Sequence, residues 1–237
     1  MSFGKLTINL KNAIIFACYV DLKEVIIMTK IFDWKSKINK KELDECIEVI
    51  ENGGIVVFPT ETVYGIGTNA FCEQSVRKIY EIKNRPDEKA LTIMLSSIDE
   101  IENFAVINND IERKIIQNFM PGPITIILER KKGILDHVAT GKNTIGIRIP
   151  NNNIILSILE KLKLPLVAPS ANISGQPSGV VLEDIIEEFV NKVDICIDGG
   201  KCDVSESSTI VQVVDNQVKI IRQGTITKEQ IERNISK

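Results

Sequence analysis

The spacing of apolar residues changes several times along the chain, and each change predicts an element. Leu43, Ile47 and Ile50 share one helical face across 40–52, with Asn39 and Glu42 at capping-box spacing and Gly53 as a stop. The apolar run 54–58 then reads as a buried strand ended by Pro59, which has no N–H for a ladder. Helical spacing returns at 73–83 through Val76, Ile79 and Tyr80, with cations toward the end that favours them. A strand at 91–95, helices at 97–104 and 109–119, strands at 124–129 and 144–149 and a helix at 152–162 follow. A short strand, 166–168, runs into the turn Pro169-Ser170-Ala171-Asn172. A helix at 181–190, a strand at 193–197, a hairpin of 208–214 with 218–222 turning at Asp215-Asn216, and a helix capped by Thr227 finish the pattern. Helices and strands alternate early and strands cluster late, which predicts one α/β domain on a mixed parallel and antiparallel sheet.

Residues 1–27 read differently. Their apolar stretch, Ala13 to Cys18, is too short to span a bilayer, and no small-residue cleavage pattern follows it. The expectation is that translation naturally starts at Met28, that residues 1–27 are an appendage, and that 28–237 is the domain. Five cysteines, odd in number and without a CxxC pair, suggest neither a disulfide framework nor a zinc knuckle, and point to idle thiols in a reducing cytoplasm. The single histidine, His137, lies in a polar connecting stretch with no GxSxG elbow, which reads as a bystander. A net charge of −3 gives no whole-chain reason for tight binding to duplex nucleic acid, so any anion site must be a local cluster of cations.

Such a cluster is present in the sequence. The stretch Phe58-Pro59-Thr60-Glu61-Thr62-Val63-Tyr64-Gly65-Ile66-Gly67 delivers hydroxyls, a carboxylate and a phenol from a buried strand into what reads as a glycine turn. Gly65 to Ala70 fits the dinucleotide pattern GxGxxA formally, but polar residues separate the strand from its first glycine. Gly141-Lys142 lacks the rest of a P-loop. Lys83 and Arg85 stand two residues apart where a helix gives way to Pro86, and Lys89 precedes the next strand. Arg148 closes a strand with Gly146 at its middle, a position that suggests a bulge or a ligand lying close. Ser170 with Asn172, then Ser208 and Arg222, add hydroxyl, amide and guanidinium groups at further strand ends. Cations and hydroxyls recurring at strand termini suit an anionic substrate such as a nucleotide.

Pro-Thr-Glu-Thr-Val-Tyr-Gly, Lys-x-Arg-Pro, Pro-Gly-Pro-x-Thr, Arg-x-Pro, Ser-Ala-Asn-x-Ser-Gly, Ser-Thr-Ile and Arg-x-Gly occur in this order. The series resembles the YrdC-type family of threonylcarbamoyl-AMP synthases over about residues 40–225, in a short form without the C-terminal domain of longer members. The resemblance implies an α/β fold with an open, twisted mixed sheet, flanking helices and a central basic cavity. It also implies condensation of L-threonine, bicarbonate (or CO2) and ATP into threonylcarbamoyl-adenylate and pyrophosphate. The product would serve N6-threonylcarbamoylation of adenosine 37 in tRNA. Carried over by motif, Thr62, Arg148, Ser170 and Ser208 are expected to hold L-threonine, and Arg85, Lys89, Thr144, Asn172 and Arg222 to hold ATP. Lys83, Arg85, Ser170 and Asn172 form the expected catalytic tetrad. Three positions depart from many relatives. Lys89 replaces Asn near ATP, Met94 replaces a His at the threonine position, and Val180 replaces a Thr at the nucleotide position.

Mg²⁺ is expected with ATP, although no carboxylate pair marks a site that would hold it. A downstream tRNA threonylcarbamoyl-transferase complex is the expected partner, direct tRNA contact is weakly indicated, and no membrane partner is expected. Two competing readings are an RNA-binding accessory factor without turnover and a carbamoyl-transfer domain like that of hydrogenase maturation factors. Acidic net charge counts against the first, and the lack of zinc-type cysteine motifs counts against the second.

Overall fold

The structure, a computed structural model, describes residues 28–236, so the expectations for residues 1–27 lie outside the described residues. β1 (Lys30–Asp33) comes first, and only Phe32 of its four residues is buried, too little for a readable pattern. α1 (Lys40–Glu51) starts where the Asn39 side chain accepts from the N–H groups of Lys41 and Glu42. β2 (Val56–Phe58) and β3 (Gly65–Asn69) pair antiparallel, and α2 (Glu73–Lys83) ends on Asn84 in the left-handed region, φ 48°. β4 (Thr92–Met94), α3 (Ile101–Phe104), β5 (Ala105–Val106), α4 (Asp110–Phe119) and β6 (Ile124–Arg130) follow. Next come α5 (Asp136–Ala139), β7 (Thr144–Arg148), α6 (Asn153–Leu162) and β8 (Leu166–Val167). α7 (Ile186–Phe189), β9 (Ile195–Asp198), β10 (Thr209–Val214), β11 (Gln217–Arg222) and α8 (Lys228–Ile235) complete the described elements. The β10–β11 hairpin turns on Asp215 and Asn216, both at positive φ (51° and 57°), which is the twist a two-residue turn needs.

Several expectations change. The helix expected at 97–104 is a 3₁₀ turn, Ile98–Glu100, running into the single turn of α3. The helix expected at 181–190 is broken into a 3₁₀ turn, Leu182–Asp184, and α7. The Asp184 carboxylate draws in the N–H groups of Val180 and Val181 at 3.0 and 3.3 Å and tightens the start. β5 and α5, two and four residues long, are too short to show a period. Gly65-Ile66-Gly67, expected to turn, is strand; the reversal is made by the residues between Pro59 and Tyr64.

The glycines serve packing instead. Register places Phe58 opposite Gly65 and Val56 opposite Gly67. A Cβ on Gly65 would meet the Phe58 ring at 2.9 Å, and one on Gly67 would meet the same ring at 2.9 Å and the Val167 carbonyl oxygen at 2.7 Å. Gly67→Ala is therefore expected to cost about 1–3 kcal/mol through overpacking, read as a lowered urea midpoint. An unchanged midpoint would refute the close contact.

The described strands form an 11-stranded sheet in the order β1-β9-β2-β3-β8-β4-β7-β6-β10-β11, with β5 paired to β6 off that path. The β1–β9, β2–β9, β4–β7 and β6–β10 pairs are parallel and the others antiparallel, so the sheet is mixed as expected. One face carries Ile66, Ile93, Ile126, Ile147 and Val211 and is buried against apolar residues of α2, α4 and α8. On the other face Phe32, Val56, Leu166 and Ile195 pack under α1 and α6. Farther along that second face, register places Thr92 beside Gly146, Met94 beside Arg148, and Ile210 beside both Thr125 and Arg222. The face turns from apolar to polar there, and that change positions the site.

Candidate active site

The turn after β2 is built by its own hydroxyls. Thr60 Oγ1 accepts from the N–H groups of Thr62 and Val63 at 3.1 and 3.2 Å and donates its one proton to the Val63 carbonyl at 2.7 Å. The Thr62 hydroxyl, 2.8 Å from Thr60 Oγ1, must then donate to it. The Thr62 oxygen is left to accept from Arg148 Nη2 at 2.9 Å. The same Nη2 lies 2.8 Å from Glu61 Oε1, and both side chains are buried. Tyr64 ties the turn to the loop after β9, donating to the Gly200 carbonyl at 2.8 Å and accepting from the Gly199 N–H at 3.2 Å. Burial pushes that phenol above its ordinary range.

Lys83, at the end of α2, is 2 % exposed. Its ammonium donates to the carbonyl oxygens of Ser170 and Asn172 at 2.6 and 2.5 Å and lies 3.4 Å from Asn172 Oδ1. Ser170 Oγ donates to Asn172 Oδ1 at 2.6 Å, and Asn172 Nδ2 donates to the carbonyls of Ile173 and Gln176. Burial first, then the Arg85 charge, pull the Lys83 pKa down to about 8, with Glu188 acting in the opposite sense. Lys83, Ser170 and Asn172 are therefore together as expected. The Lys83 ammonium faces loop carbonyls and not the cavity, where its charge was expected to meet phosphates.

Arg85, Met94, Arg148, Ser170, Ser208 and Arg222 line one cavity of about 140 Å³, whose lining holds three guanidiniums and no carboxylate. Arg85 is held by the carbonyls of Lys89 and Ala90 at 3.0 and 2.8 Å. Arg222 is held by the Ser208 carbonyl at 2.7 Å and the Ser208 hydroxyl at 3.2 Å. Burial, then the charges of Arg148 and Arg85, lower the Arg222 pKa, so the three cations feel one another. An arrangement of this kind favours a polyanionic ligand.

A bulge puts Arg222 there. From Val214↔Gln217 to Val211↔Ile220 the hairpin is regular, and then Ile210 pairs with Arg222, leaving Ile221 extra. Without that extra residue Arg222 would stand opposite Thr209 and point to the other face.

The remaining expected residues fall outside the lining. Thr62 and Asn172 lie one layer behind it, on Arg148 and Ser170. The Lys89 side chain is exposed, and only its backbone carbonyl serves the site, because Arg85 bonds to it. Thr144 lies on the cavity side of β7 but four residues from Arg148, about 13 Å along a strand. Val180 packs on the apolar core while its carbonyl accepts from Cys202. The cavity lies at strand ends, as expected: Met94 closes β4, Arg148 closes β7, Arg222 closes β11 and Ser208 directly precedes β10. Gly146 stands in regular register without a bulge, and a Cβ there would come within 3.0 Å of Thr92 Oγ1. Thr92, Thr125 and Ser207 line the cavity and were missed. The available signal was a lone hydroxyl inside each of the apolar runs at 91–95 and 124–128. His137 sits elsewhere, its Nε2 2.8 Å from the Ala70 carbonyl. Cys46 and Cys196, with pKa values pushed up to about 12 by burial, are inert thiols.

Comparison with known proteins adds independent observations. A family model of the Sua5, YciO and YrdC proteins, described as telomere recombination, matches residues 48–224. A Methanocaldococcus jannaschii protein, provisionally named a threonylcarbamoyl-AMP synthase, is 45% identical over 214 residues, which are 90% of this chain and 99% of that protein. The threonylcarbamoyl-AMP synthase of Bacillus subtilis is 34% identical over 195 residues, 82% of this chain and 56% of its own. The crystal structure of Pyrococcus abyssi Sua5 complexed with L-threonine superposes with a TM-score of 0.83 at 33% identity, covering 87% of this chain and 61% of that one. The chain thus spans about three fifths of the length of the last two and nearly all of the first. With the mixed sheet and the cavity on its polar face, a match over 48–224 and these identities place the chain in the Sua5/YciO/YrdC family.

Proposed function

We propose that this protein is an L-threonylcarbamoyladenylate synthase, a nucleotidyltransferase that joins L-threonine, bicarbonate or CO2, and ATP. The observation that carries the reading is Arg148, braced by Thr62 and Glu61, opening into a cavity whose other cations are Arg85 and Arg222. One guanidinium braced in this way suits an amino-acid carboxylate, and two more on the same cavity suit a triphosphate. The names carried by the Bacillus subtilis and Pyrococcus abyssi relatives agree with it.

In this reaction the threonine amine adds to bicarbonate or CO2 to give a carbamate, with water leaving in the first case. A carbamate oxygen then attacks the α-phosphorus, the bond from that phosphorus to the bridging oxygen breaks, and pyrophosphate departs. The protein supplies position and charge. Arg148 holds the threonine carboxylate, Ser208 and Thr125 offer hydroxyls beside it, and Arg85 and Arg222 offset the charge that builds on the leaving pyrophosphate. Met94 brings a thioether to the threonine end, so recognition there rests on hydroxyls and apolar contact. Magnesium enters as the counter-ion of the nucleotide substrate, since the cavity lining offers no carboxylate for it. The product would pass, in the cytoplasm, to a threonylcarbamoyl-transferase complex acting on adenosine 37 of tRNA.

Pyrophosphate release with each substrate omitted in turn is the test. Release should need L-threonine, bicarbonate and ATP together, and release independent of L-threonine would sink the proposal.

A further inference from the structure

Glu61 is a buried carboxylate to which the reaction above gives no direct task. It is 4 % exposed, and its Oε1 lies 2.8 Å from Arg148 Nη2. Yet neither Glu61 oxygen, nor Arg148 Nε, has a hydrogen bond of acceptable geometry. The distance makes them an ion pair, while the angles leave both groups short of partners. Buried polar groups are nearly always satisfied, so two unsatisfied ones in contact call for an explanation. Arg148 is the only cation within ion-pair distance of Glu61 among the described residues. The main chain is fixed as well, because the Glu61 carbonyl accepts from the Val204 N–H at 2.8 Å.

Arg148 has the complementary need. It shares a cavity with Arg85 and Arg222, whose like charges oppose its presence there. Nη2 is already committed to Glu61 and Thr62, while Nε is buried without an acceptor. Nη1 makes no hydrogen bond to the protein and is not enclosed as Nε is, so it is the nitrogen left to meet a carboxylate ligand in the cavity.

We infer that Glu61 is a positioning residue for the amino-acid substrate: it anchors Arg148 by Nη2 and keeps the rest of the guanidinium aimed at the substrate carboxylate. This inference rests on the synthase reading and deepens its threonine end. Glu61 acts through Arg148 and not on the reacting atoms. Its loss should therefore appear in L-threonine recognition and leave ATP recognition alone.

The test compares wild type, Glu61→Gln and Glu61→Asp by pyrophosphate release, by direct calorimetric binding of L-threonine, and by urea midpoint. Glu61→Gln is expected to raise both the KM and the Kd for L-threonine by about tenfold or more, the scale of a weakened charge-assisted contact, with the KM for ATP within about twofold. Glu61→Asp, which keeps the charge, should recover part of the loss. In a cycle with Arg148→Lys, the combined variant should lose less than the product of the two single losses. An unchanged L-threonine KM and Kd in Glu61→Gln would overturn the inference, as would equal rises in both KM values tracking a fallen midpoint. If Glu61→Gln is insoluble, Glu61→Asp decides alone: shortening the side chain should still weaken L-threonine and spare ATP. Absence of threonine-dependent release in the wild type would sink the synthase reading. Calorimetry would still report whether Glu61 governs L-threonine binding.

Discussion

Arg148→Met is expected to raise the KM for L-threonine on the order of ten- to a hundredfold, since a hydrogen bond between charged groups contributes about 1.5–3 kcal/mol and Nη2 is already committed to Glu61 and Thr62. The same change should lower stability by about 3–5 kcal/mol, because it leaves Glu61 charged, buried and without its cation. For a domain of this size that corresponds to a fall in melting temperature of roughly 6–20 °C. The two effects can be separated. Adding Glu61→Gln to Arg148→Met removes the orphaned charge, so the double variant should regain much of the lost stability and none of the L-threonine affinity. Thermal unfolding and L-threonine titration of the three proteins would check it. A double variant no more stable than Arg148→Met would show that Glu61 is not the source of the cost. L-threonine affinity within a few-fold of wild type in Arg148→Met would remove Arg148 from the site.

Lys83→Ala carries the other large expectation. Its ammonium holds the carbonyls of Ser170 and Asn172 at 2.6 and 2.5 Å, and Ser170 is the member of that loop on the cavity. Removing it should cost turnover on the order of a hundredfold, comparable to losing a preorganised donor, through a misplaced Ser170–Asn172 loop. Lys83→Arg should not rescue, since a planar fork cannot replace a compact ammonium among three carbonyl-type oxygens. The pH dependence of stability gives a second reading of the same group. The folded pKa, about 8, lies below the ordinary lysine value of 10.5, so the unfolded chain binds the extra proton between those limits. Stability therefore rises as pH climbs through that window, and the full cost of a charged Lys83 is present below it, roughly 3 kcal/mol for a shift of this size. Urea midpoints below pH 8 and near 10 should show this rise in wild type and its loss in Lys83→Met. Identical slopes would mean that the ammonium is not held as the geometry indicates, and unchanged turnover in a folded Lys83→Ala would remove it from the reaction.

The sequence made the longer elements legible because their periods report burial directly. Leu43, Ile47 and Ile50 marked α1, and two of the three are buried, while Asn39 caps it as its spacing implied. The helix expected at 181–190 is broken because the Asp184 carboxylate winds the preceding backbone into a tighter turn, a side-chain contact that spacing does not report. Gly65 and Gly67, expected to turn, are strand. A glycine declares only that something lies close, and here it is the Phe58 ring, brought opposite by the pairing of β2 with β3 and not by period.

What the chain alone determined is an inventory and an order. It provides a mixed α/β domain, a threonine-rich turn after a buried strand, and cations at Lys83, Arg85, Arg148 and Arg222 with Ser170, Asn172 and Ser208 between them. Which of those cations share a cavity was decided by the tertiary structure, because sidedness in a sheet depends on register and not on spacing. One extra residue at Ile221 turns Arg222 toward Arg148 and Arg85. Burial behind Ser170 assigns Lys83 to loop carbonyls instead of to the cavity. Contact between residues 87 positions apart pairs Glu61 with Arg148, a partnership that no local pattern encodes.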